Sequence, residues 1–323
     1  MNFKIVIPDG IDLRKTMECG QVFRYFNVTG TPCEPEEVQG SGRKHISYFV
    51  ISSTRAAVVT QYEKDPDLDI HPVDCGPEGL NMTYWANYFR SDCSMRSKSW
   101  HTVRSINDVA LMNLCVCGDG IRILKQEPWE TLLSFIVSQR NSIPRIKECL
   151  NKIAECFGMK YRWYGPTGVK AGKEHYCSLP TPEMLLSYRR DEAIKILKEQ
   201  CRVGYRAEYI YDTAMTLQCM VNNSSRMCSV SQLLHRMQTQ VEQGIFSSDD
   251  LVRALQKFKG VGPKVAECTA LFGFGCLDRF PVDVWIERAI GRLGSGFDPK
   301  KLGDSAGLIQ QYMYWHMISH KDK

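Results

Sequence analysis

The sequence predicts an α+β protein in which an antiparallel sheet is followed by a mainly helical domain. Two observations predict this class. Up to Asp119, short stretches rich in β-branched and aromatic residues alternate with loops that contain Pro, Gly and acidic residues. From Gly120 onward, apolar residues recur at the i, i+3, i+4 and i+7 spacing of amphipathic helices. We therefore predict an N-terminal antiparallel β domain with irregular insertions, residues 1–119, and a helical domain, residues 120–323.

Four stretches of the N-terminal part have the composition of strands. They are FKIVI, QVFRYF, HISYFVIS and AAVVTQY. The segments GTPCEPEE and KDPDLDIHPVDCGPEG are predicted to be loops or insertions, because Pro, Gly and acidic residues dominate them. The segment Ser91 to Ser105 is also predicted to be irregular, and the loops at 31–44 and 64–77 receive no role.

The second part of the chain contains a series of helical patterns. They are EPWETLLSFIVSQ, IPRIKECLNKIAECFG, PEMLLSY, DEAIKILKE, AEYIYDTAMTLQ and SDDLVRALQKF. No internal repeat accompanies them, which argues against a solenoid.

The overall composition limits the class of protein. Of 323 residues, 24% are charged and 43% are hydrophobic, as in folded globular chains. No apolar run approaches the ~18 residues of a membrane-spanning helix, and the N-terminal MNFKIVIPDG does not have the pattern of a signal peptide. These features predict an intracellular protein whose 14 cysteines are reduced. Cysteine pairs such as Cys115 and Cys117 lack the twinned C-x-x-C spacing of a zinc or iron–sulfur site, so no metal site is predicted.

Positive charge is concentrated near the end of the chain. The formal net charge is +5, a weak indication of an anionic partner. Between Leu251 and Arg292, seven basic and four acidic residues give +3 within forty-two residues. An anion-binding surface is therefore predicted in this region.

The same region contains two helices joined by a short glycine turn. SDDLVRALQKF has an N-terminal cap, PKVAECTALFGFG begins with Pro, and Lys259 to Gly262 separate them. Such a helix-hairpin-helix leaves backbone N–H groups at a helix N-terminus, an anion site that suits a DNA phosphate without reading sequence. On its own, the motif also fits a passive DNA clamp.

A lysine and an aspartate near this hairpin have the chemistry of a reactive site. Lys264 follows the turn directly, and Asp283 ends a Gly- and Pro-containing loop just before the next helix. Asp283 could serve only as an N-cap, which contributes roughly 1 kcal/mol. Together, however, an amine can form a Schiff base with a sugar, and a fixed carboxylate can stabilise the positive charge that develops there.

The combination of hairpin, Lys264, Gly/Pro loop and Asp283 resembles the helix-hairpin-helix-GPD superfamily of DNA glycosylases. Members flip a damaged nucleotide out of the duplex and cleave its N-glycosidic bond. CGQVFRY, GIRILKQEPWETLLSFIVSQRNSIPRI, VGYRAEYI and SAGLIQQYMYWH are similar, in order, to stretches of the 8-oxoguanine DNA glycosylase family. This resemblance implies a helix-hairpin-helix-GPD catalytic domain and an enzyme with AP-lyase activity, in which Lys264 attacks the sugar C1′ and Asp283 supports the transition state.

The resemblance also implies a pocket for the flipped base. The Gly20 carbonyl would accept the N7 hydrogen that distinguishes 8-oxoguanine from guanine, and Gln310 would bond the Watson–Crick edge. Cys268 would pack on one face of the base and Tyr314 on the other. In the family, the thiol of Cys268 and the amine of Lys264 form a dipole that helps recognise the oxidised base. Without the resemblance, Cys268 on an apolar helix face would be interpreted as core.

Further residues are implied to contact DNA. Tyr205 resembles the aromatic wedge beside the extruded base, and Arg206 and Arg145 match arginines that read the opposite cytosine. The hairpin would contribute the backbone of Gly260, Val261 and Gly262. The other implied contacts are Arg140, Asn141 and Trp285.

The chain departs from the family pattern at two of these positions. Arg140, Asn141 and Ser142 stand where the family in animals and fungi has three consecutive asparagines, so a less strict cytosine preference is expected. Trp285 stands where animal enzymes have a histidine that contacts a phosphate.

Two alternatives remain at this stage: a helix-hairpin-helix glycosylase for another damaged base, such as an alkylated purine, and a non-catalytic DNA-binding module. We expect no required cofactor, although relatives imply a cation at the hairpin. The expected partner is double-stranded DNA that contains a damaged base, with no membrane partner, and the expected state is a monomer. The expected location is at DNA inside the cell, in a nucleus or in a bacterial nucleoid or cytoplasm.

Overall fold

The computed structural model describes residues 2–31, 34–73, 82–162, 175–224, 229–294 and 296–320. Parts of the loops at 31–44 and 64–77 lie outside the described residues. Within these ranges, a five-stranded antiparallel sheet is followed by a mostly helical region, which confirms the predicted α+β class.

The strands in chain order are β1 Phe3–Ile5, β2 Tyr25–Asn27, β3 His45–Ser52, β4 Arg55–Tyr62, β5 Leu68–Pro72, β6 Lys160–Arg162 and β7 His175–Cys177. The helices are α1 Leu13–Glu18, α2 Glu36–Gln39, α3 Met82–Tyr88, α4 Met95–Ile106, α5 Val109–Val116, α6 Pro128–Ser138, α7 Ile143–Phe157, α8 Pro182–Leu186, α9 Arg190–Glu199, α10 Arg206–Asn222, α11 Val230–Glu242, α12 Ser248–Leu255, α13 Pro263–Gly273, α14 Val284–Leu293 and α15 Ala306–Ser319, with a 3₁₀ helix at Pro299–Ser305.

The main sheet has the strand order β1-β5-β4-β3-β2, and every neighbouring pair is antiparallel. Alternate residues of β3 face opposite sides, as the two-residue period of a strand requires. Tyr48 and Val50 pack toward α1 and α3, whereas Phe49 and Ile51 pack toward Tyr176 of β7. Both faces of the sheet are therefore covered by apolar residues.

Helices α6 and α13 pack together in the helical core. The end of α13 lies against the start of α6, because a Cβ on Gly273 would be 3.1 Å from Cα of Pro128. The start of α13 lies against the end of α6, where Lys264 approaches Phe135. The two helices are thus antiparallel, and this packing fixes the position of Lys264.

The structure corrects three predictions for the N-terminal part. The acidic segment KDPDLDIHP contains β5, in which Leu68 and Ile70 are buried between β1 and β4. Ser91 to Ser105 is not irregular, because α4 occupies most of it; its buried face includes a serine, Ser99, which weakens the apolar pattern. QVFRYF forms a strand only from Tyr25, because the side chain of Gln21 bonds the backbone of Arg122 and Leu124 instead.

Several further helices had no predicted counterpart, including α1, α3, α5 and α11. Residues of α4 and α5 belong to the same apolar core as the later helices, although they precede Gly120. The division of the chain at residue 119 remains a prediction. Across the described ranges, none of the helices has the length and apolar character needed to cross a bilayer.

Candidate active site

The hairpin between α12 and α13 holds Lys264 at the second position of a helix. Ser247 caps α12 by accepting a hydrogen bond from the Asp250 N–H at 3.1 Å, and Pro263 begins α13. Helix α12 ends at Leu255, a little before the predicted end of its pattern. Lys264 is half-buried, and its Nζ lies 4.8 Å from the centroid of the Phe135 ring. One side of the amine therefore faces an apolar aromatic surface of α6.

Asp283 caps α14, as the sequence predicted, and only one of its oxygens does so. Oδ1 accepts hydrogen bonds from the backbone N–H groups of Trp285 and Ile286, both at 3.0 Å. Within the described part of the chain, Oδ2 accepts no hydrogen bond. Capping and a chemical role are therefore compatible, because the cap fixes the carboxylate and leaves one oxygen for another contact.

The side chains of Lys264, Cys268, Asp283 and Tyr314 share one electrostatic environment. Burial raises the pKa of the Cys268 thiol to about 11, an effect that Lys264 opposes and Asp283 reinforces. Burial also raises the pKa of Tyr314, with further contributions from Asp283 and Cys268. At pH 7, Cys268 is therefore a neutral thiol beside Lys264 in this structure, not the thiolate of an ion pair.

Gly20 lies against the ring of Tyr314. A Cβ on Gly20 would be 3.4 Å from Cε1 of Tyr314 and 3.6 Å from Cδ1 of Ile143. The backbone of Gly20 also has φ +78°, a conformation that favours glycine. Two residues that the sequence assigned to one base pocket, although nearly 300 positions apart in the chain, are thus neighbours.

Gln310 is buried and connects α15 to the loop before Asp283. Its Nε2 donates to the carbonyl of Pro281 at 2.9 Å, and its Oε1 accepts from Nε2 of Gln311 at 2.8 Å. A glutamine amide has two N–H groups and two acceptor lone pairs, so one of each remains for a ligand. We call the set Gly20, Cys268, Gln310 and Tyr314, which the family resemblance assigns to recognition of the base, the base pocket.

A second set of predicted residues lines a groove of about 490 Å³ beside the hairpin. Its lining includes Gln139, Arg140, Tyr205, Tyr209 and the turn residues 260–262. Tyr205, at the start of α10, is 49% exposed, and Arg140 is also exposed. The structure thus brings the predicted wedge, Arg140 and the hairpin backbone to one surface.

Arg206 does not project into this groove. It is buried, and its guanidinium donates to the backbone carbonyls of Val203, Arg140 and Gln139. Its direct effect in this structure is to hold the turn that carries Arg140. Contact between Arg206 and an opposite base would require some of these hydrogen bonds to be exchanged.

The other predicted DNA contacts lie near helix N-termini. Arg145 is exposed in the first turn of α7, and Asn141 precedes that helix with its Nδ2 donating to the Val137 carbonyl at 3.2 Å. Trp285 is half-buried in the first turn of α14, and the guanidinium carbon of Arg288 lies 4.9 Å from its ring centroid. A helix N-terminus attracts anions, so these positions suit phosphate contacts.

The sequence did not identify three residues that shape the site. Phe135 lies beneath Lys264, Tyr209 packs on Gly260, and Gln311 holds the amide of Gln310. Phe135 and Tyr209 lie within correctly predicted helical patterns and Gln311 lies in the family-like stretch SAGLIQQYMYWH, but neither kind of signal indicates which partner each residue would meet. Within the described ranges, the one set of three potential metal ligands is Cys117, His316 and His320, none of which belongs to this site.

Comparison with known proteins relates the chain to DNA glycosylases. Residues 4–132 match the family model for the N-terminal domain of 8-oxoguanine DNA glycosylase. The N-glycosylase/DNA lyase of Saccharomyces cerevisiae is 34% identical over 236 residues, which are 73% of this chain and 57% of the yeast protein. The chain spans between 39% and 63% of the length of the curated relatives it matches.

Two solved structures are similar over nearly the whole chain. MBOgg1, in complex with a low-affinity DNA ligand, is 29% identical to this chain and superimposes with a TM-score of 0.72. The match covers 99% of this chain and 96% of the MBOgg1 chain. The 8-oxoguanine glycosylase/lyase of Clostridium acetobutylicum, in complex with double-stranded DNA containing cytosine opposite 8-oxoG, is 27% identical with a TM-score of 0.71. The match covers 96% of this chain and 93% of the Clostridium chain.

Proposed function

Because the chain belongs to the 8-oxoguanine DNA glycosylase family of the helix-hairpin-helix-GPD superfamily, we propose that it is a bifunctional DNA glycosylase and AP lyase that excises oxidised guanine from duplex DNA. One observation carries the proposal. Lys264 in the first turn of α13 and Asp283 at the N-cap of α14 both influence the buried thiol of Cys268, so the amine and the carboxylate lie near the same side chain. A passive clamp needs neither a half-buried lysine nor a carboxylate near the same thiol.

The reaction begins when the damaged nucleotide leaves the stack and enters the base pocket between Cys268 and Tyr314. The unprotonated amine of Lys264 forms a bond to C1′ as the C1′–N9 bond breaks, and the base departs with that electron pair and takes up a proton. The nitrogen then loses a proton, and its lone pair forms the C1′=N bond as the C1′–O4′ bond breaks and O4′ takes up a proton, which gives a protonated Schiff base. Removal of a C2′ proton then breaks the 3′ C–O bond and nicks the strand.

Asp283 has an electrostatic role in this scheme. Positive charge develops on the sugar as the base leaves, and a carboxylate held in place by its own cap needs no reorganisation to stabilise that charge. The cap bonds to Trp285 and Ile286 hold Oδ1, so Oδ2 is the oxygen that would face the sugar.

Recognition of the base would use three polar groups. The Gly20 carbonyl would accept the N7 hydrogen of 8-oxoguanine, and the remaining N–H and lone pair of Gln310 would meet the Watson–Crick edge. Because the Cys268 thiol is neutral in this structure, we propose that it contributes packing and a weak dipole before DNA binds. A thiolate would require the bound base or DNA to change its surroundings.

The groove and the hairpin would hold the duplex. Tyr205 would fill the stack beside the extruded nucleotide, and Arg140 would enter the space left by it. The backbone N–H groups at the start of α13 would bind a phosphate, and Arg145 and Trp285 would contact the strands nearby. Arg206 would reach the opposite base after exchanging a carbonyl bond, or act through the turn that it holds.

Lysine and aspartate supply the chemistry, so we propose that no cofactor is required. A cation at the hairpin carbonyls would only connect backbone and phosphate. The partner is duplex DNA containing a damaged base, bound by a monomer, and the site of action is the DNA of the cell.

Borohydride trapping tests the proposal. The protein is incubated with an 8-oxoguanine:cytosine duplex and sodium borohydride, which reduces a Schiff base to a stable adduct. We expect an adduct in the wild type and none in Lys264→Gln. Lys259→Gln is the matched control, because Lys259 lies in the same turn but is exposed and paired with Asp212 at 2.8 Å; it should retain the adduct.

Other outcomes would favour the alternatives. DNA binding without any adduct would indicate a clamp, and an adduct that persists in Lys264→Gln would mean that another amine reacts. Parallel duplexes with an alkylated purine test for a different damage specificity.

A further inference from the structure

Three potential metal ligands meet where α5 ends beside α15. The Sγ of Cys117 and one ring nitrogen each of His316 and His320 lie within 4.8 Å of one another. Zinc lies about 2.3 Å from a thiolate sulfur and about 2.0–2.1 Å from an imidazole nitrogen. The ligand atoms of a tetrahedral zinc site are therefore about 3.2–3.6 Å apart. Small side-chain rotations would therefore close the set around an ion.

The packing of two helix ends produces this arrangement. Gly118 lies so close to α15 that a Cβ there would be 2.4 Å from Cα of Tyr312. Only glycine permits that approach, and it brings the preceding residue, Cys117, to the side of α15. His316 is one turn beyond Tyr312, and His320 is one turn further, so both imidazoles lie on the same helix face.

The hydrogen bonds of the two imidazoles suit metal binding. Nδ1 of His320 donates to the His316 carbonyl at 2.9 Å, which leaves Nε2 with the lone pair that a metal takes up. Nδ1 of His316 is buried and has no hydrogen-bond partner among the described residues. A buried nitrogen without a hydrogen-bond partner costs free energy. A metal ion would relieve this cost by binding the imidazole in its present orientation or after a half-turn of the ring.

The two imidazoles lie next to one another. The rings of His316 and His320 stack with centroids 4.6 Å apart. Cys117 and His316 are partly buried and His320 is exposed, so the cluster is open to solvent on one side.

We propose that Cys117, His316 and His320 form a Zn²⁺ site. One thiolate and two imidazoles are ligands that zinc favours over calcium or magnesium. Binding would release the thiol proton of Cys117 to solvent, and a water molecule would complete the tetrahedron. Cobalt(II) would occupy the same site with a thiolate charge-transfer band.

The consequence of this site would be structural. Cys117 and His316 are about 200 positions apart in the chain, so a metal that joins them would close a long loop and stabilise the folded state. It would fix the last turns of α15 on α5. Gln310 and Tyr314 precede the site on that helix, but the metal would take no part in base excision.

Cobalt(II) and zinc titrations of the full-length, metal-stripped protein test the proposal. We expect one equivalent of Co²⁺ to give a thiolate-to-cobalt band in the near ultraviolet and tetrahedral bands in the visible, both removed by one equivalent of Zn²⁺. Cys117→Ser should abolish the thiolate band, and His320→Ala should weaken Zn²⁺ binding at least about tenfold. Saturating Zn²⁺ should raise the Tm of the wild type but not that of Cys117→Ser.

Two exposed residues provide matched controls, because the chain has other thiols and imidazoles. Cys219→Ser and His101→Ala should bind one equivalent with the wild-type spectrum. Retention of the thiolate band in Cys117→Ser, or absence of stoichiometric binding in the wild type, would overturn the proposal. Circular dichroism of each variant checks folding, and the readouts are independent of glycosylase activity.

Discussion

Tyr209 of α10 lies directly on Gly260 of the hairpin: a Cβ added to Gly260 would come within 2.2 Å of Cδ2 of the tyrosine ring. Gly260 also has φ +79°, which side chains with a Cβ rarely adopt. The contact attaches the turn to α10, whose N-terminal end carries Tyr205. The hairpin and Tyr205 are thereby held in the lining of the same groove.

Replacement of Gly260 by alanine should therefore destabilise the hairpin. A non-glycine residue at this φ costs about 1–3 kcal/mol before the clash with Tyr209 is counted. A total loss of about 3 kcal/mol corresponds to about 4 °C in Tm for a chain of this length. Thermal unfolding should show at least that decrease, and affinity for duplex DNA should fall with it.

Gly262→Ala is the control within the same turn. Gly262 has φ −84°, and no atom lies within 4 Å of a Cβ built there. Its Tm should stay within about 1 °C of the wild type. Equal destabilisation by both substitutions would mean that the Tyr209 contact is not what requires glycine.

Arg140 should contribute to the salt dependence of DNA binding. It is exposed, lines the groove and has φ +47°, a conformation that asparagine tolerates better than arginine. Arg140→Asn should leave Tm unchanged or slightly higher. If Arg140 neutralises one phosphate, the slope of log K against log salt should fall in magnitude by about 0.9. Titrations at several salt concentrations measure this slope.

The same variant tests the opposite-base preference. The family resemblance associates asparagine at this position with cytosine preference, so Arg140→Asn should raise excision opposite cytosine relative to excision opposite adenine. Arg104→Asn, at an exposed arginine of α4 outside the groove lining, is the control. Unchanged slope and unchanged selectivity in Arg140→Asn would exclude it from the DNA interface.

Glu130 should make stability depend on pH. Its carboxylate lines a cavity of about 130 Å³, and burial raises its pKa from 4.5 to about 7, partly opposed by a hydrogen bond from the Ser53 N–H. The folded state therefore holds a proton that the unfolded state releases above about pH 4.5. The stabilisation that Glu130 contributes is fully present below that pH and is lost as the pH rises through about 7.

Glu130→Gln should remove most of this dependence, because glutamine resembles the protonated acid in shape. At pH 8 the variant should be more stable than the wild type by up to about 3 kcal/mol, with little difference at pH 4.5. Urea unfolding at a series of pH values gives the comparison. Glu192→Gln, at an exposed position of α9, should follow the wild-type curve. Parallel curves for Glu130→Gln and wild type would contradict the assignment.

Local signals explain why much of the fold and part of the site could be predicted. The cap at Asp283, the proline that starts α13 and the glycine turn depend on neighbours within a few residues, so the sequence contains the information that fixes them. The apolar period of α6 and α7 is equally local. The base pocket, in contrast, was predicted through family resemblance, since nothing in the spacing of Gly20 and Tyr314 indicates that they meet.

The errors arose where distant partners override local composition. Asp69 and Pro72 make β5 look like a loop, yet Leu68 and Ile70 are buried between two strands. Nothing in the sequence indicated that the guanidinium of Arg206 bonds the carbonyls of Gln139 and Arg140, more than 60 positions away, as well as that of nearby Val203. Contact between Arg206 and DNA stays a prediction. The proximity of Cys117 to His316 and His320 was not predicted for the same reason, because these residues lie at the ends of two helices far apart in sequence.

Two substitutions at Asp283 separate its structural role from its proposed chemical role. Asparagine caps helices about as well as aspartate, so Asp283→Asn should keep the hydrogen bonds to Trp285 and Ile286 and leave Tm nearly unchanged. Its neutral amide cannot stabilise positive charge on the sugar, so single-turnover excision should fall about 100-fold or more at similar DNA affinity. Asp283→Ala should show the same kinetic loss and an additional destabilisation of about 1 kcal/mol. Near-normal excision by the asparagine variant would mean that Asp283 only caps α14.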